Sequence, residues 1–86
     1  PERTRPRKVR LSFNEVRELE QLPEKIEALE TELALLQARL GDPDLYRSAP
    51  LEAKGLAQRQ DQLTHDIEAA MVRWEELESK KQAAEE

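Results

Sequence analysis

The residues best suited to chemistry sit at the start of the chain. Arg3, Arg5, Arg7, Lys8 and Arg10 set five cations against the single Glu2, a local charge of +4. The other 76 residues carry nine Lys or Arg and eighteen Asp or Glu, a charge of −9. The formal net charge of −5 therefore hides a basic arm on an acidic body. Cations at this density suit a polyanion, because each neutralised phosphate releases condensed counterions. They also suit a solvated linker kept extended by self-repulsion. On charge alone the linker is the simpler reading.

A second grouping is weaker. Asp61, His65 and Glu68 share one face of a helix, and His65 is the only His. One imidazole with two carboxylates on an exposed face is expected to be a solvated surface, so no metal ligands are assigned. The pairs Glu75-Glu76 and Glu85-Glu86 read the same way. The two glycines, Gly41 and Gly55, stand alone, so the chain offers no phosphate-cradling Gly loop. With no Cys there is no thiolate site and no disulfide framework. One Phe, one Tyr and one Trp in 86 residues cannot line an enclosed active site. No enzymatic activity and no bound cofactor are expected in this segment. No apolar run of about 18 residues exists, so nothing spans a membrane. No apolar stretch follows the basic start as in a secretory signal, and a cytoplasmic setting is expected.

What must position these charges is helical. Ala, Glu, Leu, Arg, Gln and Lys dominate, the composition of a coiled coil. Ser12-Phe13-Asn14-Glu15 is a capping box, with Leu11 and Val16 placed for a hydrophobic staple. From there Leu19, Leu22, Ile26, Leu29, Leu33, Leu36 and Leu40 alternate spacings of three and four, a heptad seam. Pro23 lies inside it, without an amide for the Leu19 carbonyl. The spacing thus predicts helices over 12–22 and 24–40, kinked at Leu22-Pro23. Gly41 suits a left-handed helix end and Pro43 blocks continuation. Residues 41–49 are predicted as a loop folded back through Leu45 and Tyr46. A second long helix over 50–80 follows from Pro50 at its first turn. Its seam is Leu56, Gln60, Leu63, Ile67, Ala70, Trp74 and Leu77. Residues 1–11 are predicted as a disordered arm and 81–86 as a frayed acidic tail. Phe13, Tyr46 and Trp74 read as packing anchors. The fold class is all-α: an antiparallel two-helix coiled-coil hairpin, about 40–50 Å long at about 1.5 Å per residue.

Two registers close that hairpin. Setting Leu22 opposite Trp74 brings like charges together along the flank, such as Arg39 with Arg59 and Glu32 with Asp66. Sliding by one heptad sets Leu22 opposite Ile67, Leu19 opposite Ala70 and Leu33 opposite Leu56. The flank then reads Arg39 with Glu52, Glu32 with Arg59, Lys25 with Asp66 and Glu18 with Arg73. Each exposed pair is worth only about 0.2–1 kcal/mol. Four simultaneous changes of sign still select a register. The second is the expected one.

Several of these residues together resemble a known family. They are Glu18-Leu19-Glu20-Gln21-Leu22-Pro23, Ile26-Glu27-Ala28-Leu29-Glu30, the loop Asp42-Pro43-Asp44-Leu45-Tyr46, and Arg73-Trp74-Glu75-Glu76-Leu77-Glu78. In this order and spacing, over about residues 8 to 80, the chain resembles the C-terminal coiled-coil domain of Uup-type ABC-F ATPases. The family often has Tyr ahead of this Leu-Pro, where Phe13 here lacks the hydroxyl. The resemblance implies a parent with two upstream ATP-binding cassettes using ATP and Mg, no membrane span and a cytoplasmic location. It also implies a part in DNA binding, and the family's basic linker matches Arg3 to Arg10. That turns the arm from linker to nucleic-acid contact. The expected interface is Arg3, Arg5, Arg7, Lys8, Arg10 and Arg17, with DNA as partner. Two alternatives share the same features: an RNA- or ribosome-contacting arm of the same ATPase class, and a structural hairpin that self-associates weakly.

Overall fold

The computed structural model describes residues 10–85. Three helices follow one another, with no strand among the described residues: α1 over Phe13–Leu40, α2 over Pro43–Ser48 and α3 over Pro50–Glu85. α1 begins at the capping box. The Glu15 amide donates to Ser12 Oγ at 3.1 Å, and the Ser12 amide donates to Glu15 Oε1 at 2.8 Å. Two of the four orphan amides of the helix start are thereby satisfied.

α1 runs unbroken through Pro23, so the expected division into 12–22 and 24–40 does not occur. Proline inside a helix costs about 3 kcal/mol. Here the chain is packed on both sides of it. Leu19 and Leu22 are buried before the proline, and Ile26 packs on the same cluster after it. One lost amide in a 28-residue helix does not outweigh that continuous apolar contact.

The connection also differs from a plain loop. Gly41 keeps a right-handed conformation with φ −76°, so its freedom to turn left-handed is not used. The turn is made one residue later. Asp42 accepts from the Asp44 amide at 2.9 Å, and Pro43 occupies the first turn of α2. This is a short helix start of the same kind as Ser12, with aspartate as cap and proline where no amide is needed. α2 exists to hold Leu45, which is buried. At the other end, the predicted frayed tail is helical as far as Glu85. Ala83 and Ala84 are strong helix formers, and nothing in the tail stops the helix.

α1 and α3 lie antiparallel, and their flanking charges fix the register. Arg39 donates to Glu52 at 2.6 Å. Arg59 grips Glu32 with two hydrogen bonds of 2.7 and 2.9 Å. Arg73 grips Glu18 at the same two distances. These are three of the four pairs of the heptad-shifted register. The fourth, Lys25 with Asp66, is not among the ion pairs of the described residues; both line a shallow surface depression with Glu18 and Arg73. A short lysine head in water gains less than the planar fork of arginine on a carboxylate. A further pair joins Lys80 to both Glu15 oxygens at 2.9 Å. Among the described residues no polar side chain is buried, so no buried polar contact adds to the flanks in setting the register.

Gly55 lies inside α3, and a methyl group added there meets nothing within 4 Å. Gly55→Ala is therefore expected to stabilise the fold by about 0.5–1 kcal/mol, read as a higher urea midpoint by circular dichroism. An unchanged or lower midpoint would contradict the open environment described for this position.

Candidate nucleic-acid interface

The arm enters the fold at the open end of the hairpin, where α1 begins and α3 ends. Arg3, Arg5, Arg7 and Lys8 lie outside the described residues. Arg10 and Arg17 lie inside them and are exposed. Neither forms an ion pair among the described residues. Arg17 stands over the ring of Phe13, 5.8 Å from its centroid. Phe13 is 75% exposed, so it is not the packing anchor that its apolar character suggested. At the first position of α1 it precedes the seam, and the Ser12–Glu15 cap fixes the turn that presents it. A ring and a guanidinium held together on the surface form a platform of the kind on which bases stack.

Lys81 joins this end. It lines the same surface groove as Leu11, which places α3's last turns beside the arm's exit. Sequence reasoning alone misses it, since residues 81–86 read as a frayed tail. The signal was present in the register: one heptad beyond Glu18–Arg73 it sets Lys80 opposite Leu11, and Lys80 reaches Glu15 one turn further along α1, which brings residue 81 to the start of α1.

The other cations near this end are committed. Lys80 and Arg73 both engage Glu15, at 2.9 and 3.9 Å. The carboxyl of Glu15 is held down at about 2, first by the Ser12 amide and then by Lys80. Glu18 is lowered by its hydrogen bonds from Arg73, and the Arg73 guanidinium is raised by the same contact. Glu32 and Arg59 repeat this further along, the carboxyl lowered and the guanidinium raised by their shared hydrogen bonds. The hairpin thus neutralises its flanking arginines internally and leaves Arg10, Arg17 and Lys81 available at one end.

The remaining candidates do not assemble into sites. Asp61, His65 and Glu68 are all exposed on α3. Among the described residues no group of three His, Cys, Asp or Glu is gathered to hold a metal ion. No described helix is long and apolar enough to cross a membrane. The isolated glycines of this chain do not fit a nucleotide phosphate, so no step involving ATP is assigned to its residues.

Residues 10–79 match the family described as the ABC transporter C-terminal domain. Among curated proteins, the ATP-binding protein Uup of Haemophilus influenzae is 43% identical over 86 residues, covering 95% of this chain and 13% of that protein. An ATP-binding protein Uup-like of the same organism is 44% identical over 85 residues, covering 94% of this chain and 18% of its own length. The ATP-binding protein Uup of Escherichia coli is 33% identical over 72 residues, covering 84% of this chain and 11% of its own. The chain therefore spans less than a fifth of the length of these relatives. No solved structure matches it. The cap, the heptad seam interrupted in sequence by Pro23 and the arginine flank are carried by a chain that belongs to the ABC transporter C-terminal domain family, of the Uup type within ABC-F proteins.

Proposed function

We propose that this chain is the accessory nucleic-acid-binding module of a cytoplasmic, Uup-type ABC-F ATPase. In this reading it is an antiparallel coiled-coil hairpin that carries a basic arm to DNA. ATP and Mg are bound and used by cassettes elsewhere in the parent chain. Arg3, Arg5, Arg7, Lys8 and Arg10 contact phosphates, and Arg17, stacked on Phe13, contacts them at the first turn of α1. The observation that carries the proposal is the uneven commitment of the described arginines. Arg39, Arg59 and Arg73 are tied to carboxylates across the hairpin and Arg47 to Asp44, whereas Arg10 and Arg17 stand exposed where α1 begins. The acidic remainder repels a polyanion and directs it to that end.

Contacts of this kind are to the backbone, so binding is weak, sequence-tolerant and steep in salt. Six cations neutralising most of their share of phosphates give a slope of log affinity against log salt of about −4 to −5. Duplex DNA titrated at several salt concentrations, against the chain and against a variant with the arm cations replaced by Ser, measures that slope. A slope near zero, or an affinity indifferent to the replacement, overturns the proposal. Competition with structured RNA and with ribosomes decides between DNA and the alternative RNA-contacting arm. The exposed Phe13 is a specific reason to include single strands, since stacking on a ring needs an unpaired base.

A further inference from the structure

The two edges of the α1–α3 seam are unlike. One carries the ion pairs described above. Along the other runs an open apolar groove, lined by Val16, Pro23 and Ile26 from α1 and by Met71 and Trp74 from α3. Trp74 was expected in the core. It is 37% exposed and lies beside Pro23 along the groove. Five carboxylates edge the same groove: Glu20, Glu27 and Glu30 on α1, and Glu75 and Glu78 on α3. Among the described residues none of the five is in an ion pair. A single cation, Lys81, stands at the open end.

An apolar floor with an exposed tryptophan is an anchor for a packed partner, since buried aromatics dominate interface energetics. The acidic edges define the sign of that partner. A second copy would bring the same five carboxylates against these, which disfavours a symmetric pair. A nucleic acid is repelled for the same reason. The chain's own arm has the right charge, but within residues 1–10 only Pro1, Pro6 and Val9 are apolar, too few to cover the floor. We infer that this groove docks a cationic amphipathic helix, whose apolar stripe covers Trp74, Met71 and Pro23 while flanking Lys or Arg meet the glutamates. Docking of that kind turns two helices into a three-helix bundle, the helix-in-groove mode of recognition. The groove abuts the arm only at its open end, and Trp74, Met71 and Pro23 are none of the residues assigned to nucleic acid, so its failure would leave the nucleic-acid reading untouched.

Trp74 is the only Trp, which makes its fluorescence a reporter of the groove. The probe is a synthetic helix of Leu and Lys, with Leu at alternating spacings of three and four and no aromatic residue. Its counterpart carries Glu in place of Lys. The expected result is a saturable blue shift at one peptide per chain with the Lys peptide and none with the Glu peptide. Met71→Glu, at a half-exposed position, should weaken binding by about tenfold or more with helicity retained. Converting Glu27, Glu30 and Glu75 together to Gln should weaken it and reduce its salt dependence. The inference is overturned by the absence of a shift, by equal response to both peptides, or by undiminished binding in Met71→Glu. It is overturned equally if sedimentation shows that Trp74 is covered by self-association, or if duplex DNA produces the same shift.

Discussion

Leu63→Ala should remove most of the stability of this hairpin, about 2–4 kcal/mol, measured by urea unfolding followed by circular dichroism. Leu63 is 0% exposed and Leu77 1%, the two most completely enclosed side chains among the described residues. Truncating an enclosed leucine loses its transfer free energy and leaves a cavity, together about 2–5 kcal/mol. A chain of this size rarely has more than about 3–5 kcal/mol in total. The same chemical change at Leu51, 84% exposed, should cost less than about 0.5 kcal/mol. Leu77→Ala should be as costly as Leu63→Ala but should act first at the open end, where Leu77 shares a cluster with Leu19, Leu22 and Ala70. If Leu63→Ala and Leu51→Ala prove equally mild, the seam described here is not what holds the helices together.

The second large effect concerns charge. Arg73→Glu should destabilise the fold more than any other single change of surface charge. Arg73 makes two hydrogen bonds to Glu18 and lies 3.9 Å from Glu15 and 3.5 Å from Glu76. Reversing it removes these contacts and sets a carboxylate among three others. Adding Glu18→Arg should recover part of the loss, because the main pair is restored with its ends exchanged while Glu15 and Glu76 still face a like charge. A double-mutant cycle measures that coupling. The same ladder sets the acid limb of stability. Glu15, Glu18 and Glu32 are all held below their ordinary value of 4.5, Glu15 at about 2. A lowered carboxyl contributes stability that is complete above the unfolded value and is lost as pH falls through the folded one. Thermal midpoints should therefore fall as pH drops from about 4.5 towards 2, and less so in Glu15→Gln. A midpoint flat across that window, or Arg73→Glu melting like the parent, would refute the role given to the ladder.

Much of this fold is legible in the sequence. The cap at Ser12 and Glu15 is a local exchange of two hydrogen bonds, and local chemistry is what a sequence states most directly. The register was legible too, because arginines and glutamates at seven-residue intervals give each alignment its own pattern of attraction and repulsion. Three kinds of feature were not. The continuity of α1 at Pro23 depends on apolar contacts across the hairpin, which a rule about isolated helices omits. α2 carries its cap and proline in plain view, but six residues of helix around one buried leucine resemble a turn. The aromatics are the third, because apolar character does not by itself place a side chain inward. Phe13 precedes the seam, Leu45 is buried where Tyr46 is exposed, and Trp74 lies at the open edge of the seam beside Pro23. Of the candidate interface, Arg10 and Arg17 could be named from sequence. The platform of Phe13 and the arrival of Lys81 needed α3 to be followed to its end.

The ladder also acts as a ruler. Arg39–Glu52, Glu32–Arg59 and Glu18–Arg73 lie at whole heptads, and each pair steps forward along one helix as it steps back along the other. Insertions or deletions in one limb alone would set every pair beyond them out of phase. Seven residues added to, or removed from, both limbs between two rungs would leave the cap, the turn at Asp42 and the remaining rungs as they are. The distance from the turn to the arm can thus change only in increments of about 10 Å, seven residues at about 1.5 Å each. Length in this module is a counted quantity, and the reach of the charged end can be reset without redesigning either terminus.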